Sequence, residues 1–314
     1  MKRVLLTGAS GFLGAACIEP LLARGFEVHT VSRRALRLDP SRVTEHHIDL
    51  TDQRTHAVLM DLVRPSHLLH SAWTTKPAFE TAKDGAITAA WDHYDWVTTG
   101  LNLVRTFSST GGKRLVVCGS SAEYDWSYGY CTEQLTPTVP DTEYGACKHA
   151  LRILVESFVN SRKLSAAWPR IFFCYGPGEA PRRLVASAIL SLLNGKPALF
   201  SHGNQVRDYM HVADVALALV QLLDSGVQGP VNVASGRGIA IKEIVSTVGS
   251  LLGRPELIHL GAIPARTNDQ PFVVGNNQRL VSELRWQQQI DLTTGLRQTI
   301  DWWLRNPPHS EAFT

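Results

Sequence analysis

Of the seven tyrosines in the 314-residue sequence, Tyr144 in EYGACKHA alone has a lysine four residues later. On a helix that spacing sets Lys148 on the same face, one turn away. An ammonium there lowers the pKa of the phenol and makes it a usable proton donor or acceptor near neutral pH. Taken alone, the same spacing also describes an ordinary surface pair. Upstream, VVCGSSAEYDW ends a strand-like run with Ser120 and Ser121, where a hydroxyl is placed to hold a substrate oxygen for the tyrosine. A third set of residues suits an anion. LLTGASGFLG, residues 5–14, spaces Gly8, Gly11 and Gly14 so that the first permits a tight turn and the second lets the backbone approach a pyrophosphate. The third lets the following helix pack on the sheet.

The same stretch has a surface likeness to an export signal, since Lys2 and Arg3 precede the apolar run and Ala15 and Ala16 follow it. Three glycines interrupt that run too often for a stable apolar helix. The chain instead continues into the helix-like AACIEPLLARG and the strand-like FEVHTVS, so the order is strand, glycine turn, helix, strand. In such a unit the residue ending the second strand meets the adenosine ribose, where a carboxylate favours NAD. Here the strand ends Ser32-Arg33-Arg34, and two guanidiniums suit a 2′-phosphate, so NADP(H) is expected over NAD(H). Asp49, in HHIDLTD, is placed for the adenine amine, with Leu50 beside it.

The elements that must carry these residues are legible as short apolar runs between helical patterns. RVLLTG, FEVHTVS, EHHIDL, HLLHSA, RLVVCGS and AAWPRIFFCYG read as parallel strands buried on both faces, with helices such as WDHYDWVTTGLNLVRTFSS as crossovers. The expected fold is α/β, a Rossmann-type doubly wound parallel sheet with a smaller, mostly C-terminal substrate-binding lobe. Residues 1–175, joined by about 205–233, are expected to form the dinucleotide-binding domain, and 176–204 with 234–314 the lobe. LVASAILSLLNG and VADVALALVQLLDSG read as helices stopped by Gly195 and Gly226. The formal net charge of +3 is scattered, which implies no nucleic-acid partner. Five cysteines without a CxxC pair imply free thiols and no metal site. No apolar run reaches the roughly 18 residues a membrane helix needs, so no membrane association is expected and a cytoplasmic location is.

Taken together, TGASGFLG, HSA (His70 to Ala72), GSSAEY, YGACK, RIFFCYGPGE, QVRDYMHVADVA, VNVASG and LRWQQQIDLTTGLRQTIDWW resemble the extended short-chain dehydrogenase/reductase family over nearly the whole chain. That family includes nucleotide-sugar epimerases, 4,6-dehydratases and 4-ketoreductases. The resemblance implies that Tyr144 is the catalytic acid/base, that Lys148 tunes it and holds the nicotinamide ribose, and that Ser121 hydrogen-bonds the reacting sugar oxygen. It implies cofactor contacts from Thr7, Gly8, Gly11, Phe12, Leu13, Gly14, Ser32, Arg33, Arg34, Asp49, Leu50, Ser71 and Ala72. It places Arg207 and Arg266 where relatives bind the diphosphate of a nucleotide sugar, with Arg182 and Arg183 in a loop near that anion. It also implies a homodimer, through WDHYDWVTTGLNLV and ACKHALRILVESFV.

The chain departs from the resembling family at informative places. Sugar 4,6-dehydratases usually carry an Asp-Glu pair after the catalytic hydroxyl, and here those positions read Ala122 and Glu123. Dehydration is therefore disfavoured, and Glu123 is left to bind sugar hydroxyls or to solvate its loop. Phe173 stands where many epimerases have an Asn in the motif that contacts substrate phosphates. Epimerases return the hydride to a retained NAD, whereas a net reductase draws on NADPH, so Arg33 and Arg34 favour reduction. The expected activity is an NADPH-dependent 4-ketoreductase acting on a nucleoside-diphosphate 4-keto-6-deoxysugar. The rivals are a nucleotide-sugar epimerase or dehydratase, a non-sugar carbonyl reductase, and a non-catalytic NADP(H) sensor, which would have no use for Ser121, Tyr144 and Lys148.

Overall fold

The computed structural model describes residues 2–36, 38–74, 79–81, 87–89, 93–265, 267 and 269–307. The first apolar runs form β1 (Arg3–Thr7), β2 (Glu27–Ser32), β3 (Val43–His47) and β4 (His67–His70), with α1 (Phe12–Ala23) and α2 (Arg54–Val63) as crossovers. α3 (His93–Ser109), β5 (Arg114–Val117), α4 (Glu143–Arg162), β6 (Ser165–Ile171) and β7 (Gly229–Val233) continue the pattern. The strands lie in the order β7-β6-β5-β4-β1-β2-β3, with Gly119–Ser120 also paired to β6. The pairs β1–β2, β2–β3, β1–β4, β4–β5 and β5–β6 all run parallel. Strand order reverses at β1, and in such sheets ligands bind at the carboxyl ends beside that reversal. Leu5, Leu68 and Leu115 fill one core with Leu59, Leu103, Phe107 and Val155 of the crossover helices. This burial on both faces is why the inner strands read as mainly apolar runs, whereas the edge strand β3 is mostly polar and only partly buried.

The chain divides into two compact units, one of Met1–Asp125, Pro137–Arg170 and Ala216–Val231, the other of Trp126–Thr136, Ile171–Val215 and Asn232–Thr314. Residues 126–136, 171–175, 205–215 and 232–233, which the sequence division put with the sheet, fall in the second unit. Strand pairing gives the reason. AAWPRIFFCYG is two strands, and its second part, Phe173–Tyr175, pairs with Tyr209–His211. Tyr130–Cys131 pairs with Phe272–Gly275 in a four-stranded sheet of the second unit. The helices Leu184–Leu193, Ile241–Leu251 and Leu292–Arg305 close that unit around Val185, Ile189, Ile244, Val248, Leu296 and Trp303. Among the described residues no helix is long and apolar enough to cross a membrane.

Candidate active site

Gly8 follows β1 with φ 77°, in the region that favours glycine. A Cβ on it would lie 2.7 Å from Ala72 N and Ser71 Oγ, so the turn and the end of β4 approach more closely than any side chain allows. A Cβ on Gly14 would lie 2.2 Å from Gly8 O, which seats α1 directly on the turn. At Gly11 the same Cβ would meet only Gly8 O, at 3.3 Å, so the outer side of the turn is open among the described residues. α1 begins there with no side-chain cap and no acidic residue in its first turn. α4, by contrast, is capped by Thr142, whose Oγ1 accepts from Gly145 N at 3.1 Å. The uncapped amides around Phe12, Leu13 and Gly14 and the partial positive charge of the helix start therefore suit a pyrophosphate.

The ends of β2 and β3 fit the rest of a dinucleotide. Ser32 turns the chain by donating from Oγ to Arg34 O at 2.6 Å. Arg33 and Arg34 are exposed, and neither guanidinium has an ion-pair or hydrogen-bond partner among the described residues. Asp49 Oδ1 accepts from Thr51 N and Oγ1, which leaves Oδ2 for an incoming donor. Three expected cofactor residues serve the fold with their side chains instead. Thr7 Oγ1 is buried between His70 Nδ1 at 2.7 Å and Ala72 N at 3.2 Å. Ser71 Oγ donates to Thr7 O at 2.7 Å. Leu50 lies in the core.

Tyr144 is the second residue of α4. A Cβ on Gly145 would come 2.2 Å from Ala122 O, so this first turn rests on the 3₁₀ turn Ser121–Glu123. Lys148 is 4% exposed, and its Nζ donates to Cys118 O at 2.8 Å. The same Nζ stands 3.8 Å from the Trp73 ring centroid and 6.0 Å from that of Tyr144. Burial pushes the ammonium down to about 8, partly opposed by Cys118 and Glu123. Trp73 meets Tyr144 edge-on at 6.4 Å and donates from Nε1 to His93 Nδ1 at 3.1 Å. The sequence reading passed over Trp73 and His93. Their signal was a large aromatic placed immediately after the small residues that end β4, and a histidine at the start of the next crossover helix.

Glu123 requires a correction. It is fully buried, accepting from Ser120 N at 2.8 Å and Trp168 Nε1 at 2.8 Å on one oxygen and from Arg170 Nε at 3.0 Å on the other. Ser120 Oγ in turn accepts from Ala122 N. These bonds form a buried capping box that presents Ser121, and Glu123 binds neither sugar nor solvent. In the second unit, Phe173 packs between Trp126 at 5.8 Å and Tyr209 at 5.5 Å, with the Arg207 guanidinium 5.6 Å from its ring. Arg207 is buried and paired with Asp269, while Asp208 accepts from Ser235, Gly236 and Gly275. Arg183 is half exposed, with its Nε 3.2 Å from Glu179. Arg266 lies outside the described residues.

A glycine turn at the strand reversal, an uncapped helix start and a buried lysine one turn from a tyrosine define the class, a nicotinamide-dependent oxidoreductase of the extended short-chain dehydrogenase/reductase type. The chain belongs to the NAD dependent epimerase/dehydratase family, whose model matches residues 4–234. It is 28% identical over 335 residues to a dTDP-4-dehydro-6-deoxy-D-allose reductase of Streptomyces sp, covering 96% of each chain. It is 25% identical over 338 residues to a probable dTDP-glucose 4,6-dehydratase of Sinorhizobium fredii, covering 97% of this chain and 93% of that one. The structure of a Thermus thermophilus UDP-glucose 4-epimerase in complex with NAD superposes with a TM-score of 0.83 at 26% identity, covering 98% of this chain and all of the other. These relatives act by epimerisation, dehydration or reduction of nucleotide sugars.

Proposed function

We propose that the protein is an NADPH-dependent 4-ketoreductase of a nucleoside-diphosphate 4-keto-6-deoxysugar. The observation that carries this reading is the pair Arg33 and Arg34 at the end of β2, both exposed and uncommitted among the described residues. Two free guanidiniums match a 2′-phosphate, and a carboxylate that would bind both ribose hydroxyls of NAD is missing from Ser32-Arg33-Arg34. When bound, NADPH supplies the hydride that turns the C4 carbonyl into an alcohol. Tyr144 donates its phenolic proton to the C4 oxygen. Lys148 supports the negative charge left on that phenol, and Ser121 donates a hydrogen bond to the same sugar oxygen. One such donor at a developing oxyanion is worth about 3–4 kcal/mol. The half-exposed Arg183, with only its Nε committed among the described residues, is the arginine we assign to the sugar's diphosphate.

Glu123 supports reduction over dehydration, because a base must reach a substrate proton and both oxygens of this carboxylate are held inside the protein. A cytoplasmic location and a homodimer through α3 and α4 belong to the same reading; Ile153 and Leu154 stand 47% and 43% exposed on α4. The test follows nicotinamide absorbance with NADPH and with NADH against a panel of enzymatically made nucleoside-diphosphate 4-keto-6-deoxysugars. Steady NADPH loss with one member is expected. Replacing both arginines by serine raises the KM for NADPH about 10- to 100-fold, as loss of charge-assisted contacts does, and leaves the KM for NADH unchanged. A converted sugar with no NADPH consumed would overturn the assignment in favour of epimerisation or dehydration.

A further inference from the structure

Lys148 is a buried ammonium without a carboxylate partner among the described residues. A buried charge normally requires pairing or several hydrogen bonds, and a carbonyl alone compensates little of the lost hydration. Here the described contacts of Nζ are Cys118 O at 2.8 Å and the face of the Trp73 indole at 3.8 Å. A cation over an indole face is attracted by the ring quadrupole, and the attraction grows when water is excluded.

The indole is itself held in place. Thr7 fixes the chain just before it, through Ser71 N to Thr7 O at 3.4 Å and Ala72 N to Thr7 Oγ1 at 3.2 Å. His93 Nδ1 accepts its N–H at 3.1 Å, Trp96 lies at 6.3 Å, and the Tyr144 ring stands across it at 6.4 Å. The ring cannot slide off the ammonium without breaking its contacts to α3 and α4 together.

We propose that Trp73 is a positioning residue of this site, whose indole face, with Cys118 O, keeps Lys148 charged and fixed one turn below Tyr144. The inference rests on the reading of Tyr144 and Lys148 as the acid/base pair. The other titratable groups facing Lys148 do not take over this task. Cys118 is pushed up to about 12 by burial and is a neutral thiol, and His70 is pushed down to about 3 and is a neutral imidazole. Glu123 is bonded to Arg170, and His93 is bonded to the indole. The partner chemistry at Nζ is therefore a π face, and anything that weakens it makes the ammonium easier to deprotonate.

The test uses Trp73→Leu and, as a shape-preserving second variant, ring-fluorinated tryptophan placed at position 73 alone. Two readouts are taken beside turnover. The first is the ionisation of Tyr144 in the cofactor-free protein, from phenolate absorbance with Tyr144→Phe as the blank. The second is the pH profile of kcat. With the indole weakened, Lys148 loses its proton at lower pH, so the alkaline limb of kcat moves down by about half a unit or more. Tyr144, deprived of its cation, ionises at higher pH by a similar amount, and the KM for NADPH stays near wild type. The fluorinated ring gives a graded shift in the same directions at unchanged melting temperature. If both variants keep the wild-type limb and the wild-type Tyr144 ionisation while Tyr144→Phe is inactive, Trp73 only fills space and this proposal falls alone. If Tyr144→Phe turns over at the wild-type rate, the acid/base reading falls and the proposal falls with it.

Discussion

A phenol delivers a proton to a forming alkoxide only if its own negative charge finds support at that moment, and on the function proposed above Tyr144 draws that support from the buried Lys148. Tyr144→Phe keeps the ring, its edge-on contact with Trp73 and the start of α4, and removes the hydroxyl. Turnover of the keto sugar should fall by about 10²- to 10⁴-fold, the usual range for a positioned acid, while NADPH affinity measured by fluorescence titration stays unchanged. Wild-type turnover in this variant would disqualify Tyr144 as the acid. Placement was readable where it depends on local spacing, as for Tyr144 and Lys148 one turn apart on α4. It was misread where a partner comes from far along the chain. Glu123 sits in a loop-like stretch, and its burial depends on Trp168 and Arg170, which arrive from β6. Thr7 reads as a phosphate ligand until His70 is brought beside it by the pairing of β1 with β4.

At the scale of elements, the inner strands were legible because burial on both faces favours continuous apolar sequence, whereas the edge strand lies at Val43–His47 rather than through EHHIDL and is mostly polar and only partly buried. Strand ends were less legible. AAWPRIFFCYG carries no polar residue at the point where the chain leaves β6 and begins pairing with Tyr209–His211, so composition does not mark the change of sheet. The glycine turn was legible at Gly8 and Gly14, each of which answers to a different steric demand. Gly14→Ala puts a Cβ 2.2 Å from Gly8 O, a backbone atom that cannot swing aside. α1 must lift from the turn, at a cost at or above the roughly 1–3 kcal/mol typical of overpacking. The variant should lose that much in urea unfolding and bind NADPH more weakly, because the helix start moves with the turn. Gly226→Ala, whose Cβ meets nothing within 4 Å, is the matched control and should be neutral. Equal stability and cofactor affinity in the two variants would contradict the close seating of α1.

Across the whole molecule, burial of neutral imidazole sets the response to acid. Six of the twelve histidines, His46, His56, His67, His70, His149 and His211, are held below their ordinary value chiefly by burial. His70 goes down to about 3 in the first unit and His211 to about 4 in the second. A folded-state pKa below the unfolded one means that the unfolded chain binds more protons once the pH falls below about 6.5, so stability present above that pH is lost progressively on acidification. Each such site sets a limiting slope of about 1.4 kcal/mol per pH unit. Glu179 works in the opposite sense, since burial raises it to about 7 and the folded state takes up its proton first. Burial also raises Asp208 and Asp214, but from an ordinary value below that of Glu179, so over this interval the net slope follows the more numerous lowered histidines. Urea unfolding should therefore show stability falling by about 2 kcal/mol or more between pH 6.5 and pH 5. Glu179→Gln removes one opposing group and should steepen that fall, whereas His70→Asn should flatten it. A stability curve level over this interval, unchanged by either substitution, would mean that the buried imidazoles take up protons in the folded protein as readily as in the unfolded chain.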